Sequence, residues 1–173
     1  LELMDYSANH LLALVNNILD FTKLNDGAFT LQHSEFNLNK SLQSIFKMNE
    51  RVAHEKGLEY ILDIPDSIPS TVYGDKNRID QIILNLLNNA LEHTETGFVK
   101  LKIRGDYATH NSNASTNVYT VRITVKDTGK GINKALQKKL FEKYNTSSAS
   151  KNSVGLGLTI SKGLVELMNG SIT

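Results

Sequence analysis

The sequence contains no cysteine and only two prolines among its 173 residues. The absence of cysteine excludes disulfides and thiolate metal sites, and it is compatible with a reducing compartment. No apolar run approaches the roughly 20 residues that span a bilayer, and no signal peptide is visible. The formal net charge of +1 provides no bulk attraction to nucleic acid or to an anionic membrane. The composition is that of a soluble globular protein, with 40% hydrophobic and 21% charged residues.

Residues 1–25 predict a helix with a wide apolar face. Its apolar residues recur at helical spacing: Met4, Ala8, Leu11, Leu12, Val15, Ile18 and Leu19. One helix cannot bury such a face alone, so we expect a helical partner in a bundle or in a second copy of the chain. Packing on the following domain is the alternative. Because the chain starts inside this helix and stops in a predicted strand at 171–173, we expect a fragment of a longer protein.

The remaining residues mix helices and strands without regular alternation. Asn37 and Asp75 are expected to cap helices over 38–56 and 76–93. Strands or extended pieces are predicted at 29–36, 58–64, 70–75, 97–105 and 118–127, and further helices near 133–142 and 156–169. The inner side of the 38–56 helix is predicted to carry Leu38, Leu42, Ile45, Phe46, Val52 and Ala53. The pattern predicts an α+β fold: a two-layer α/β sandwich with helices covering a mixed, mostly antiparallel sheet, preceded by one long bundle helix.

The 76–93 helix carries asparagines where better helix formers would be expected. An apolar stripe runs beside a polar one, and the polar stripe comprises Gln81, Asn85, Asn88, Asn89 and Glu92. Asparagine costs roughly 0.5 kcal/mol relative to alanine in a helix interior. Carboxamide oxygens suit a hard cation such as Mg²⁺ that phosphates already coordinate. The alternative is a plain solvated face, which would more readily use Glu and Lys.

Two glycine turns offer further binding features. In "DTGKGI" (127–132), Asp127 at a strand end can accept a hydrogen bond from an exocyclic amine such as that of adenine, and Ile132 can cover the ring. An ordinary Asp-initiated turn is the alternative. In "SVGLGLTISKGLVELM" (153–168), Gly155 and Gly157 open a helix whose N-terminal amides suit phosphates. Between the turns, "LFEKY" (140–144) precedes a polar loop with the composition of a mobile lid.

Taken in order, these segments resemble the ATP-binding domain of sensor histidine kinases, in the GHKL ATPase superfamily. "RIDQIILNLLNNALEHT" is similar to the family's N-box, "DTGKGI" to its first glycine box, "LFEKY" to its F-box and "VGLGLTI" to its second glycine box. The segment "SANHLLALVNNILDFTKLNDGAFTLQHSEFNL" resembles the second helix of the dimerisation and phosphotransfer domain with its linker. It is similar to the same segment of hybrid kinases, which carry attached receiver domains.

The resemblance implies three regions and a set of ATP-binding residues. Residues 1–27 would be the second dimerisation helix, 28–36 a linker and first strand, and 37–173 the ATP-binding catalytic domain. Asn89 would hold Mg²⁺ with Asn85 close by, and both are the candidate catalytic residues. Residues 143–154 would form the ATP lid. The implied cofactor-binding residues are Asn85, Asn89, His93, Asp127, Gly129, Gly131, Ile132, Tyr144, Lys151, Gly155, Leu156, Gly157 and Leu158.

The implied function is transfer of the ATP γ-phosphoryl group to a histidine of the dimerisation domain, for relay to a response-regulator aspartate. The implied partners are a second copy through the N-terminal helix and a receiver domain, with no nucleic acid and no direct membrane contact from this chain. The location would be cytoplasmic, with membrane anchoring of the full protein open. No motif resembling "SHELRTP" is present, so we expect the chain to lack its own phosphate acceptor.

Two alternatives remain at this point. A GHKL hydrolase similar to gyrase B would carry a glutamate one turn before the magnesium asparagine, but Asn85 occupies that position and an amide cannot take a proton. A degenerate, regulatory nucleotide-binding module is favoured by departures from the family pattern. These departures are Glu92 where Lys or Arg is common, Ser153 where another glycine is common, and a short lid.

Overall fold

The computed structural model describes residues 2–107, 118–137, 140–141 and 156–173. They divide into two compact units, His33–Gly131 and a second unit of Leu1–Gln32 with Ile132–Thr173. The elements in chain order are α1 (Glu2–Asn25), β1 (Ser34–Asn37), α2 (Leu38–Glu55), β2 (Glu59–Asp63), β3 (Thr71–Gly74), α3 (Lys76–His93), β4 (Phe98–Tyr107), β5 (Tyr119–Asp127), α4 (Lys134–Gln137) and α5 (Gly157–Leu167). The three regions predicted from the resemblance, 1–27, 28–36 and 37–173, stay a prediction.

The unit His33–Gly131 contains two sheets. In the larger sheet, the order is β2-β4-β5, with β2 parallel to β4 and β4 antiparallel to β5. In the smaller sheet, β1 pairs with β3 in antiparallel fashion, so that Phe36 lies opposite Val72. Antiparallel pairing therefore predominates, and the predicted mixed, mostly antiparallel α+β fold is confirmed.

Helices α2 and α3 pack on one face of the β2-β4-β5 sheet, as predicted. The shared core contains Leu42 from α2, Ile83, Leu87 and Leu91 from α3, and Val99, Leu101 and Ile103 from β4. The three β4 residues alternate along the strand and are fully buried, so the residues between them point to the opposite face. Phe46 and Tyr60 add a stacked pair with ring centroids 3.9 Å apart.

The two predicted N-caps are confirmed. The side chain of Asn37 accepts a hydrogen bond from the backbone N–H of Lys40 at 2.8 Å, at the start of α2. The side chain of Asp75 accepts from the N–H of Arg78 at 3.2 Å, at the start of α3. Each bond satisfies an N–H that has no partner within its helix. These caps fix where both helices begin.

Two local predictions were wrong, and a third was confirmed only in part. Val52 of α2 is 44% exposed, although the pattern placed it on the inner side. The helix predicted near 133–142 is described only over Lys134–Gln137, and Leu140 and Phe141 lie in a turn. Residues 171–173 form no strand. A β-strand requires a hydrogen-bonded neighbouring strand, and a local sequence pattern alone does not produce one. The lid predicted at 143–154 lies outside the described residues.

In the second unit, α1 leaves a long apolar stripe exposed. Its side chains are between 45% and 63% exposed at Leu11, Leu12, Val15, Ile18 and Leu19. The helix ends, as predicted, just before Asp26 and Gly27. Near that end α1 packs on α5, where Gly163 lies against Leu24. Among the described residues, none of the helices combines the length and the hydrophobicity that a membrane span requires.

Candidate functional site

Helix α3 holds the asparagines in a fixed direction because its opposite side is buried. Ile82, Ile83, Leu87, Ala90 and Leu91 are all buried. The polar stripe is thereby turned away from the apolar core, since residues three and four apart share a side of the helix.

Within that polar side, two rows differ in exposure. Asn85, Asn89 and His93, spaced by four, are half-buried, whereas Asn88 and Glu92 are exposed. The predicted binding residues therefore share the more recessed row. Glu92, whose charge would repel phosphates, lies in the exposed row.

The turn that follows β5 is built around Asp127. Its carboxylate Oδ1 accepts a hydrogen bond from the N–H of Gly129 at 2.9 Å. Thr128 ties the turn to the start of β4, because its hydroxyl accepts from Phe98 N at 2.9 Å and lies 3.0 Å from the carbonyl oxygen of Thr96, to which it donates. Gly131 closes the turn with φ +69°, a conformation that glycine adopts without strain.

This turn packs directly on the C-terminal end of α3. A Cβ atom on Gly129 would lie 2.4 Å from the carbonyl oxygen of His93, a separation that no side chain tolerates. Thr94, the C-cap residue of α3, is fully buried, and its hydroxyl donates a hydrogen bond to the carbonyl oxygen of Ala90 at 2.6 Å. The structure thus brings together Asp127, Gly129 and His93, one helical turn beyond Asn89.

Lys56 is a neighbour of this helix end that the sequence did not reveal. Its ammonium donates to the carbonyl oxygen of Leu91 at 2.5 Å and lies 3.5 Å from that of Glu92. A cation at a helix C-terminus offsets the partial negative charge of the free carbonyls there. It belongs to the end of α2 in sequence, and only the packing of α2 beside α3 places it here.

The remaining predicted residues belong to the other unit or lie outside the described residues. Ile132 is 47% exposed, Leu156 is buried at 4% exposure, and Leu158 is half-buried. Gly157 is the first residue of α5, and Leu156 before it has no side-chain oxygen with which to cap the helix. Tyr144, Lys151 and Gly155 lie outside the described residues.

The donor chemistry of the α3 row fits Mg²⁺ carried by a nucleotide. The residues are carboxamides, Asn85 and Asn89, which supply neutral oxygens to a hard cation. No group of three or more His, Asp or Glu side chains suited to a metal occurs in the described part of the chain. Such an all-protein cage is not needed when phosphates supply charged oxygens.

A capped helix with a recessed amide row, seated against an Asp-Gly turn beside a mixed sheet, offers an α/β scaffold whose polar groups suit a nucleotide. Comparison with known proteins specifies the family. Residues 74–173 match the profile of the histidine kinase-, DNA gyrase B-, and HSP90-like ATPases. This match covers more than half of the chain, and the chain belongs to that family.

Its relatives include signal transduction proteins. The chain is 35% identical over its whole length to the signal transduction histidine-protein kinase BarA of Escherichia coli, of which it covers 19%. It is 36% identical over 96% of its length to the hybrid signal transduction protein dokA of Dictyostelium discoideum, of which it covers 10%. The chain therefore spans at most about a fifth of these proteins. Together with the family match, these relatives confirm the predicted resemblance.

A solved structure agrees with these relatives. Full-length ShkA, in a crystal structure with AMPPNP, superposes with a TM-score of 0.74 at 29% identity, over 95% of this chain and 32% of that one. AMPPNP, a nucleotide analogue, is a ligand of that protein. The agreement extends over nearly the whole chain, which confirms the predicted fold class.

Proposed function

We propose that the chain is the ATP-binding kinase core of a two-component sensor histidine kinase. It would transfer the γ-phosphoryl group of ATP to a histidine on the dimerisation domain, for relay to an aspartate of a receiver domain. The observation that carries this proposal is the seating of the Asp127–Gly131 turn on the end of α3, where Gly129 meets His93. That contact holds the turn of Asp127, the carboxylate proposed to bind adenine, against the helix that carries Asn85 and Asn89.

Asp127 is the proposed adenine-binding residue. One of its carboxylate oxygens is engaged by Gly129 N, which orients the group, and the carboxylate retains further acceptor sites for an exocyclic amine. Guanine presents a carbonyl at the corresponding position, and a carboxylate would repel it. We therefore expect selection of ATP over GTP, with Gly131 and Ile132 completing the base pocket.

Asn85 and Asn89 are the proposed residues for Mg²⁺ and the phosphates. When bound, the ion would supply charge neutralisation to the transferring phosphoryl group. The amides themselves would hold and orient the triphosphate without taking a proton. This favours transfer to an external acceptor over hydrolysis, because a hydrolase needs a base at the position of Asn85.

Helix α5 would help to bind the phosphates. Its first turn begins at Gly157, and the partial positive charge of a helix N-terminus suits an anion. Tyr144, Lys151, Gly155 and Leu158 are proposed to complete the site. Positioning and charge stabilisation, with little covalent chemistry by the protein, are what phosphoryl transfer requires.

The exposed stripe of α1 supports the proposed partner. Leu11 and Ile18, one heptad apart, are 63% and 51% exposed. Apolar residues at this spacing are typical of a bundle seam, so we propose that α1 pairs with another dimerisation helix in a homodimer. The phosphate acceptor would be supplied by that domain.

Two measurements test the proposal. Titration with ATP, with and without Mg²⁺, is expected to give binding that Mg²⁺ strengthens. The intact dimerisation domain, supplied in trans with labelled ATP, should then become phosphorylated on histidine. Binding without transfer would favour the regulatory module, release of free phosphate without transfer would favour the hydrolase, and absence of binding would contradict both enzyme assignments.

A further inference from the structure

The face of the β2-β4-β5 sheet that points away from the helices carries a concentrated set of charges. Because Val99, Leu101 and Ile103 point into the core, the alternate residues of β4 and their cross-strand neighbours point outward. We call this surface the open sheet face. It comprises the cations Lys100, Lys102, Arg104, Arg122 and Lys126, the acids Glu59, Asp63 and Asp106, and the apolar Ile61 and Phe98.

Two pairs of like charges face each other across β4 and β5. Lys100 is the register partner of Lys126, and Arg104 is that of Arg122. Like charges directly opposite on one face of a sheet destabilise it, and nothing in the apolar core requires them there. Residues that break a local folding rule in this way are candidates for a role outside the fold.

Over the ranges that the structure describes, acidic side chains neutralise only some of these cations. Asp63 binds both Lys100, at 3.0 Å, and Arg104, at 2.9 Å. Lys126 lies over the ring of Phe98, 5.7 Å from its centroid. Within the described residues, neither Lys102 nor Arg122 forms an ion pair.

We propose that the open sheet face is a docking surface for an acidic segment of a partner protein, with Lys102 and Arg122 as the residues that its carboxylates meet. Lys102 on β4 and Arg122 on β5 are diagonal neighbours on this face, about 7–8 Å apart. Alternate residues of an extended peptide lie about 6.8 Å apart, so two of its carboxylates can meet this pair.

Mixed chemistry favours a protein over a uniform polyanion. Asp63 lies between two cations, and Glu59 and Asp106 lie near the ends of the face. A DNA backbone or an anionic bilayer would meet repulsion at these carboxylates, whereas a protein can place a cation or a neutral group there. The half-buried Ile61 and Phe98 add apolar area, and aromatic and arginine side chains are enriched at protein interfaces. A second copy of this face would be repelled.

The test uses the 173-residue chain labelled with ¹⁵N and a synthetic peptide that alternates glutamate with serine. We expect the peptide to shift the backbone signals of β4 and β5, and raising the salt from about 0.05 M to about 0.3 M to weaken binding. The same peptide with glutamine in place of glutamate should not bind. Equal binding of the two peptides, or shifts confined to other elements, would overturn the proposal.

Charge-reversal variants locate the surface. K102E/R122E should weaken peptide binding about tenfold or more, because attraction becomes repulsion at both positions. The matched control K40E/K47E changes the net charge equally, at exposed residues of α2, and should weaken binding by less than about threefold. Equal losses in both variants would mean non-specific charge attraction and would overturn the proposal.

Two further measurements distinguish a protein partner from a membrane or a nucleic acid. Phosphatidylglycerol vesicles and a short DNA duplex are titrated in parallel. If either binds more tightly than the peptide, and if K102E/R122E loses that binding, the partner is a polyanion and the proposal is wrong. If K102E/R122E fails to fold, K102Q/R122Q takes its place. ATP binding should be unchanged in both variants, which separates this surface from the nucleotide site.

Discussion

Gly129 lies directly against the carbonyl oxygen of His93, so close that a Cβ atom on Gly129 would come within 2.4 Å of it. The turn that carries Asp127 is thus seated on the last residue of α3. The helix that supplies the amides and the turn that supplies the carboxylate form one packed assembly.

Gly129→Ala should separate the turn from α3. The added methyl group has to displace backbone and not a flexible side chain, so we expect a loss of roughly 1–3 kcal/mol in the free energy of unfolding. ATP affinity should fall as well, because Asp127 moves with the turn. Urea unfolding and ATP titration measure the two effects. Lys130→Ala, at an exposed residue of the same turn, is the control and should change neither.

Asn89→Ala should abolish most of the effect of Mg²⁺ on ATP affinity. Loss of a ligand oxygen is expected to cost about tenfold or more in affinity. The same change should stabilise α3 by about 0.5 kcal/mol, because alanine is the better helix former. Calorimetric titration with and without Mg²⁺, together with thermal melting, separates binding from folding.

Asn88→Ala is the matched control for Asn89→Ala. Asn88 is the adjacent residue and is exposed, so its replacement brings the same gain in helix propensity without removing a recessed amide. We expect its ATP affinity to remain within about twofold of the unchanged protein. If both variants lose Mg²⁺-dependent affinity equally, the assignment of Asn89 is wrong.

Asp127→Asn should keep the turn and weaken the discrimination between ATP and GTP. An amide oxygen can still accept the hydrogen bond from Gly129 N, so stability should change little. The amide is neutral and can also donate, so it no longer repels the carbonyl of guanine. Competition binding with both nucleotides measures the ratio, and an unchanged ratio would contradict the adenine role of Asp127.

Asp63 should make stability depend on pH in the acid range. Its hydrogen bonds with Arg104 and Lys100 lower the pKa of its carboxyl group from 3.8 to about 2. A lowered pKa means that the carboxylate stabilises the folded state fully above the unfolded value, and that this contribution is lost as the pH falls from 3.8 to about 2. Asp63→Asn should therefore lower the melting temperature at neutral pH.

The difference in melting temperature between Asp63→Asn and the unchanged protein should be constant from neutral pH down to about 5 and should then shrink toward zero near the lowered pKa. Asp66→Asn, at an exposed aspartate, is the control and should show a smaller difference at every pH. A difference for Asp63→Asn that persists undiminished in strong acid would show that its effect is not electrostatic.

The sequence by itself determined the local features. Asn37 and Asp75 marked the starts of α2 and α3 because a capping side chain acts on its own neighbours in the chain. The spacing of apolar residues along α3 identified its buried side, and the same helical geometry placed Asn85, Asn89 and His93 in one row. Short-range physics sets these properties, so no tertiary information was needed.

Only the tertiary structure decided how the elements meet. The parallel pairing of β2 with β4, the position of Lys56 at the end of α3 and the contact of Gly129 with His93 all join residues more than 30 positions apart. Val52 has the right spacing for the inner side of α2, yet it is 44% exposed. Periodicity states which side of an element is apolar, but burial depends on what packs against it, and that is a property of the folded chain.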